Sequence, residues 1–193
     1  MKVVGKLIDV DYAEHVKHEL EREENTVFVS ELVLCKQRSL FNKQFKMLYQ
    51  PQNATIIGRL IHSGLEAFLQ VYFNAQVEVE VSREICGYVV KGRVDALTED
   101  EVIEIKSGLD HKGSEPLEHH RQQVRLYMWL TGKPRGRIVY VTYGHLSEYE
   151  VNDPASDDEV MYMIDNWLSP RYDWECEYCQ WRSICPYRVE RKR

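Results

Sequence analysis

No apolar run in the sequence approaches the ~20 residues needed to cross a bilayer. The start, Met1-Lys-Val-Val-Gly-Lys-Leu-Ile-Asp9, lacks the long apolar segment and small-residue cleavage site of a secretory signal. These two absences lead to the expectation of a cytoplasmic protein whose cysteines stay reduced. There is also no excess of positive charge. A formal net charge of −6 argues against passive, non-specific nucleic-acid binding, though not against a local basic groove around an acidic metal site. Internal repeats and low-complexity segments are missing as well. What is there is ordinary for a globular chain. The 193 residues, 44% hydrophobic and 29% charged, suffice for one domain with a sizeable core.

One stretch organises the rest: Gly92-Arg-Val-Asp95-Ala-Leu-Thr-Glu-Asp-Glu-Val-Ile-Glu104-Ile-Lys106. It reads as two short strands joined by the polar turn Thr98–Glu101. Side chains alternate along a strand, so Glu104 and Lys106 share a face, and pairing across the turn would bring Asp95 to it. Buried charges cost several kcal/mol each unless paired or bound to a metal. A hard divalent cation would neutralise both carboxylates, with the lysine left to stabilise developing charge. Taken alone, a Glu-x-Lys on a half-exposed strand is as readily a polar face, and an Asp before a turn is ordinary turn chemistry.

Around this stretch the pattern alternates between helix and strand. Asp11 to Asn25 is charged and reads as a short amphipathic helix. Ser30 is a plausible N-cap, with a helix running through Cys35. From Asn53 to Tyr72 the apolar residues recur with helical period, and Gly58, His62 and Glu66, four apart, fall on one side. Gln76 to Ile85 alternates as a strand with one wet face, and Gly87 permits a turn into Tyr88. Ser107 to Glu115, including Lys112, is a polar loop. Pro116 opens a helix carrying His119, His120, Gln123 and Tyr127; Gln123 and Tyr127 point the same way. Arg137 to Tyr143 and Leu146 to Val151 read as paired strands, and Asp157 to Leu168 as an amphipathic helix. The order of helices, three strands, helix, strand and helix predicts an α/β domain with a mixed central sheet.

Four of the five cysteines form a pattern: Cys176-x-x-Cys179, Cys185 followed by Pro186, and Cys35 far upstream. Cys86 stands apart. A Cys-x-x-Cys followed by a further cysteine is a metal-ligand signature, and zinc and an iron–sulfur cluster both accept four thiolates. Trp174, Tyr178, Trp181 and Tyr187 would shield such a site from solvent. Ligands drawn from both ends would close a long loop and stabilise the terminal segment.

Together Gly58-x-x-x-His62-x-x-x-Glu66, Gly92-x-x-Asp95, Glu104-Ile-Lys106, Gln123-x-x-x-Tyr127 and the cysteine arrangement resemble the RecB-like branch of the PD-(D/E)XK nuclease superfamily. More closely, the chain looks like the CRISPR-associated exonuclease family Cas-four, over nearly its whole length. The resemblance implies a single nuclease domain over 1–193, with an iron–sulfur region formed by 26–50 and 170–193. It implies a metal site of His62, Asp95, Glu104 and the carbonyl of Ile105, holding Mn2+ or Mg2+. Glu66 would orient His62, and Asp95, Glu104, Lys106, Gln123 and Tyr127 would carry the chemistry. The implied cluster on Cys35, Cys176, Cys179 and Cys185 is [4Fe–4S], although [2Fe–2S] uses the same thiolates. The implied substrate is single-stranded DNA and DNA ends, cut by an exonuclease with some endonuclease activity for CRISPR spacer acquisition, beside the adaptation integrase subunits. Rival readings are a RecB-like nuclease of repair or recombination and a non-catalytic iron–sulfur DNA-binding scaffold. His119 and His120 are read as loop-side or DNA-facing. The basic tail Arg188, Arg191, Lys192 and Arg193 reads as a solvated terminus more readily than as a DNA contact.

Overall fold

Six strands form one mixed sheet in the computed structural model, which describes residues 2–108 and 113–190. Lys112 and the tail residues Arg191, Lys192 and Arg193 lie outside the described residues. The elements run α1 (Val3–Leu20), β1 (Thr26–Phe28), α2 (Val29–Leu32), α3 (Lys36–Gln44), α4 (Asn53–Phe73), β2 (Gln76–Ile85), β3 (Tyr88–Leu97), β4 (Glu101–Ser107), α5 (Glu118–Thr131), β5 (Arg135–Val141), β6 (Leu146–Val151) and α6 (Asp157–Asp165). A 3-10 helix, Asp173–Glu177, follows. No helix among the described residues is long and apolar enough to cross a membrane.

β3 is the hub. β2 pairs with it antiparallel from Ile85↔Tyr88 to Gln76↔Leu97. Its other edge is shared. β1 runs parallel to its start, Thr26↔Val89 to Phe28↔Lys91, and β4 pairs antiparallel with its end, Ala96↔Ile103 and Leu97↔Val102. Between Lys91 and Ala96 this edge forks open. β5 then continues parallel to β4 and β6 antiparallel to β5.

Alternation along β4 sends Val102 to one face and Ile103 and Ile105 to the other. Val102 joins Val90, Val94, Val124, Leu126 and Met128 in the larger core under α5 and α6. Ile103 and Ile105 pack with Leu69 of α4. The sheet is therefore sandwiched, with α4 on one face and α5 on the other. Gly136 on β5 lets α5 approach closely, because a Cβ there would run into Val124 and Met128.

Three local expectations are corrected. α1 is longer than the segment from Asp11 and ends at Leu20; Asp11 is buried in it, accepting from Tyr49 Oη and Arg59 Nη1, each at 3.0 Å. Ser30 is not a cap and no helix runs through Cys35. α2 follows directly on β1, Glu31 Oε2 accepts the Phe28 N–H at 3.1 Å, and the turn stops at Leu32. Cys35 instead precedes α3. β1, three residues long, was not expected at all; its pairing to β3 holds it.

Candidate active site

The fork in β3 is where the charged residues meet. Asp95, just inside it, turns its carboxylate towards β4, and Oδ2 accepts the Ile105 N–H at 2.7 Å. A side chain thus takes over where backbone pairing has stopped at Ala96↔Ile103. Its other oxygen, Oδ1, lies 3.5 Å from His62 Nδ1. His62 stands on the inner side of α4, one turn after Gly58 and one before Glu66. Ligand atoms of His62, Glu66 and Asp95 all lie within 4.8 Å of one another. Glu66 thus lies near Asp95 as well as His62.

From the α5 side of the sheet come Glu104 and Lys106. Lys106 Nζ donates to Glu104 Oε1 at 2.7 Å and to Gln123 Oε1 at 2.8 Å. Gln123 Nε2 donates in turn to Tyr127 Oη at 3.4 Å. Glu104 does not join the compact trio of His62, Glu66 and Asp95, yet its charge is felt by both His62 and Asp95. Tyr127 packs against β3, and a Cβ added at Gly92 would sit 2.5 Å from its Cε1. This gives Gly92-x-x-Asp95 a physical reason: the glycine clears the ring that holds Gln123.

The electrostatics are those of a site short of positive charge. Burial, then the Asp95 charge, pushes the Glu104 carboxyl well above the ordinary carboxylate range. Burial, then Glu78 and Asp95, raises Glu66 to about 6. Burial works against a charged His62, but Asp95 and Glu104 outweigh it and raise its pKa. Burial and Glu104 push the Tyr127 phenol up, so it stays protonated. Glu104 Oε2 and Glu66 Oε1 are buried and lack hydrogen-bond partners among the described residues. Orphaned carboxylate oxygens of this kind are costly, and a divalent cation answers both. The donor set, one imidazole and several carboxylates, fits such an ion. A groove of about 950 Å³, lined by α1, α3, β2 and β3, opens onto Asp95 and Tyr127.

Cys35, Cys176, Cys179 and Cys185 line one small pocket together with Arg38, Arg182 and Tyr187. Burial raises the Cys35 and Cys179 thiols, so thiolates there call for a cation. Cys86 is exposed on the β2–β3 turn, at φ 46°. The aromatic shield is narrower than expected. Tyr187 lines the pocket and Trp181 packs on Phe41 and Phe45, but Tyr178 is exposed and Trp174 turns away to His119. The pocket is stitched together by a residue the sequence did not flag. Buried Glu175 accepts from Cys35 N at 2.7 Å, Arg171 N at 3.0 Å and Tyr172 N at 2.9 Å. His119 and His120 stay out of the acidic cluster; His120 Nδ1 is 2.8 Å from Tyr140 Oη.

Known proteins resemble the chain in sequence and in fold. The model of the PD-(D/E)XK nuclease superfamily matches residues 69–186. The chain is 38% identical to the CRISPR-associated exonuclease Cas4 of Saccharolobus solfataricus, over 91% of its own length and 94% of that protein's. The crystal structure of SSO0001 matches at a TM-score of 0.90 and 36% identity, covering 98% of this chain and 99% of the other. An alkaline exonuclease from Laribacter hongkongensis shares the fold, with a TM-score of 0.55 and 15% identity over 81% of this chain and 87% of its own. The 38% identity over nearly the whole of both chains, with the superfamily model matched over residues 69–186, shows that the chain belongs to the CRISPR-associated Cas4 exonuclease family of the PD-(D/E)XK nucleases.

Proposed function

We propose that this nuclease is a divalent-metal-dependent deoxyribonuclease that trims single-stranded DNA and DNA ends, as a single domain over 1–193. The observation that supports it most is the pair of orphaned carboxylate oxygens beside the His62, Glu66 and Asp95 cluster. His62, Asp95, Glu104 and the carbonyl of Ile105 would hold Mn2+ or Mg2+, with Glu66 at hand. Such an ion supplies Lewis-acid polarisation of the phosphoryl oxygen and acidifies water. Lys106 orients the attacking water and balances the charge that builds on the phosphate. Gln123 and Tyr127 hold the Lys106 ammonium in place through their hydrogen bonds. Water adds to phosphorus, the ester oxygen leaves with a proton, and a phosphate and a hydroxyl terminus result.

The same reading gives the cysteine pocket an iron–sulfur cluster, [4Fe–4S] in preference to [2Fe–2S]. The four cysteines that line the one pocket match the number of thiolates such a cluster takes. The cluster would act as a staple between residues 26–50 and 170–193. The family membership supports a biological role in processing DNA ends for CRISPR spacer acquisition, with the adaptation integrase subunits as partners.

The test is cleavage of end-labelled single-stranded DNA in manganese, with and without chelator. Activity should vanish with the chelator and in Asp95→Ala and Lys106→Ala, while the variants keep the wild-type circular dichroism. Full activity of either variant in manganese would refute the assigned roles.

A further inference from the structure

The wall beside Lys106 is aromatic. His119 lies one turn before Gln123 on α5, so about 6 Å along the helix from the residue that holds Lys106. Its ring centroid is 5.1 Å from Trp174 and 5.6 Å from Tyr172. Tyr172 and Trp174 lie nearly parallel, at 5.9 Å and 15°. All three residues are half-buried, so part of each stays within reach of solvent. None belongs to either hydrophobic core.

Two further observations separate this wall from ordinary packing. Trp129, Trp167 and Trp181 each donate their indole N–H, to Asp157, the Leu34 carbonyl and Asn42. Among the described residues Trp174 has no such acceptor, so its donor is available to a ligand. His119 is also kept neutral: burial, then repulsion from Lys106, lowers its pKa to about 4. At neutral pH it offers a ring face, not a cation for phosphate.

We infer that His119, Tyr172 and Trp174 form a stacking subsite for an unpaired nucleobase of the strand being cut, next to the bond that Lys106 serves. This rests on the deoxyribonuclease reading above and extends it to the choice of strand. A base held in a duplex has no free face to offer such a wall, so the subsite selects single strands and frayed ends. Aromatic stacking tolerates any base, so cleavage should show little sequence preference at this position.

The test is binding of a labelled single-stranded oligonucleotide by fluorescence anisotropy, in chelator so that no chemistry occurs, followed by cleavage kinetics in manganese. Oligonucleotides with one abasic nucleotide are scanned through successive positions. The expected result is a weakening of about tenfold at one or two positions beside the cut. Trp174→Ala should weaken the intact strand by a similar factor through KM rather than kcat, and lose the sensitivity to the abasic site. Trp174→Phe should restore both. Wild-type protein indifferent to an abasic nucleotide at every position would overturn the inference, as would a Trp174→Ala variant as sensitive as wild type. If Trp174→Ala does not fold, the wild-type scan and Tyr172→Leu decide by the same criteria. Wild-type protein that neither binds nor cuts single strands would remove the functional reading and this subsite together. Normal cutting with a flat scan removes the subsite alone.

Discussion

Gly92→Ala adds one methyl group to β3, and its consequences can be worked from the contacts. The new Cβ would lie 2.5 Å from Tyr127 Cε1 and 3.2 Å from Val29 Cγ2. Carbon atoms sit comfortably at about 3.5–4.0 Å, so the ring must retreat by about 1 Å. Tyr127 is only 4% exposed and cannot swing into water. Overpacking of this kind costs about 1–3 kcal/mol, which for a chain of this size lowers Tm by roughly 2–12 °C. The larger effect should be on activity. Moving the phenol moves Gln123, and with it Lys106, and a 1 Å misplacement of a reacting group costs on the order of 100-fold in rate. The assay is a double-mutant cycle in thermal unfolding, with Tyr127→Ala as the second change, alongside single-turnover cleavage by Gly92→Ala. The Gly92→Ala penalty should shrink markedly once the ring is gone. An equal penalty in both backgrounds, or wild-type turnover by Gly92→Ala, would show that the ring does not set the position of Lys106.

Other expectations are more local. Glu175→Gln replaces a carboxylate that takes three backbone N–H groups with an amide that turns donors towards one of them. It should cost about 2–3 kcal/mol, read as a lower urea midpoint, and loosen the cysteine pocket. Cys179→Ala should bleach the visible absorbance of purified protein and lower Tm; a colourless variant as stable as wild type would deny the staple. Glu159 caps α6 by accepting the Ser156 N–H at 2.8 Å and also pairs with Arg125. Both hold its pKa below 4.5, so its contribution is present above that pH and lost as pH falls through the depressed value. The Tm gap between wild type and Glu159→Gln should therefore close in acid.

The parts of the fold written into local pattern were legible in the sequence. The 3.6-residue period of α4 placed His62 and Glu66 on one side, and the alternation of β4 placed Glu104 with Lys106. What escaped was tertiary. β1 has three residues and exists because β3 offers an edge. The end of α2 at Leu32 and the place of Cys35 depend on Glu31 and on Glu175, the latter 140 residues away along the chain. The fork in β3 has no sequence signature; it is seen only when β1 and β4 are both laid on one edge. The closeness of Glu66 to Asp95 and of Trp174 to His119 likewise depends on how α4 and the terminal segment dock.

The most direct measurement is anomalous diffraction at the manganese edge from crystals soaked in Mn2+. A peak in the β3 fork, within bonding distance of His62, Asp95, Glu104 and the Ile105 carbonyl, is the predicted result. Manganese bound elsewhere, with the fork empty and Glu104 Oε2 still without a partner, would contradict it.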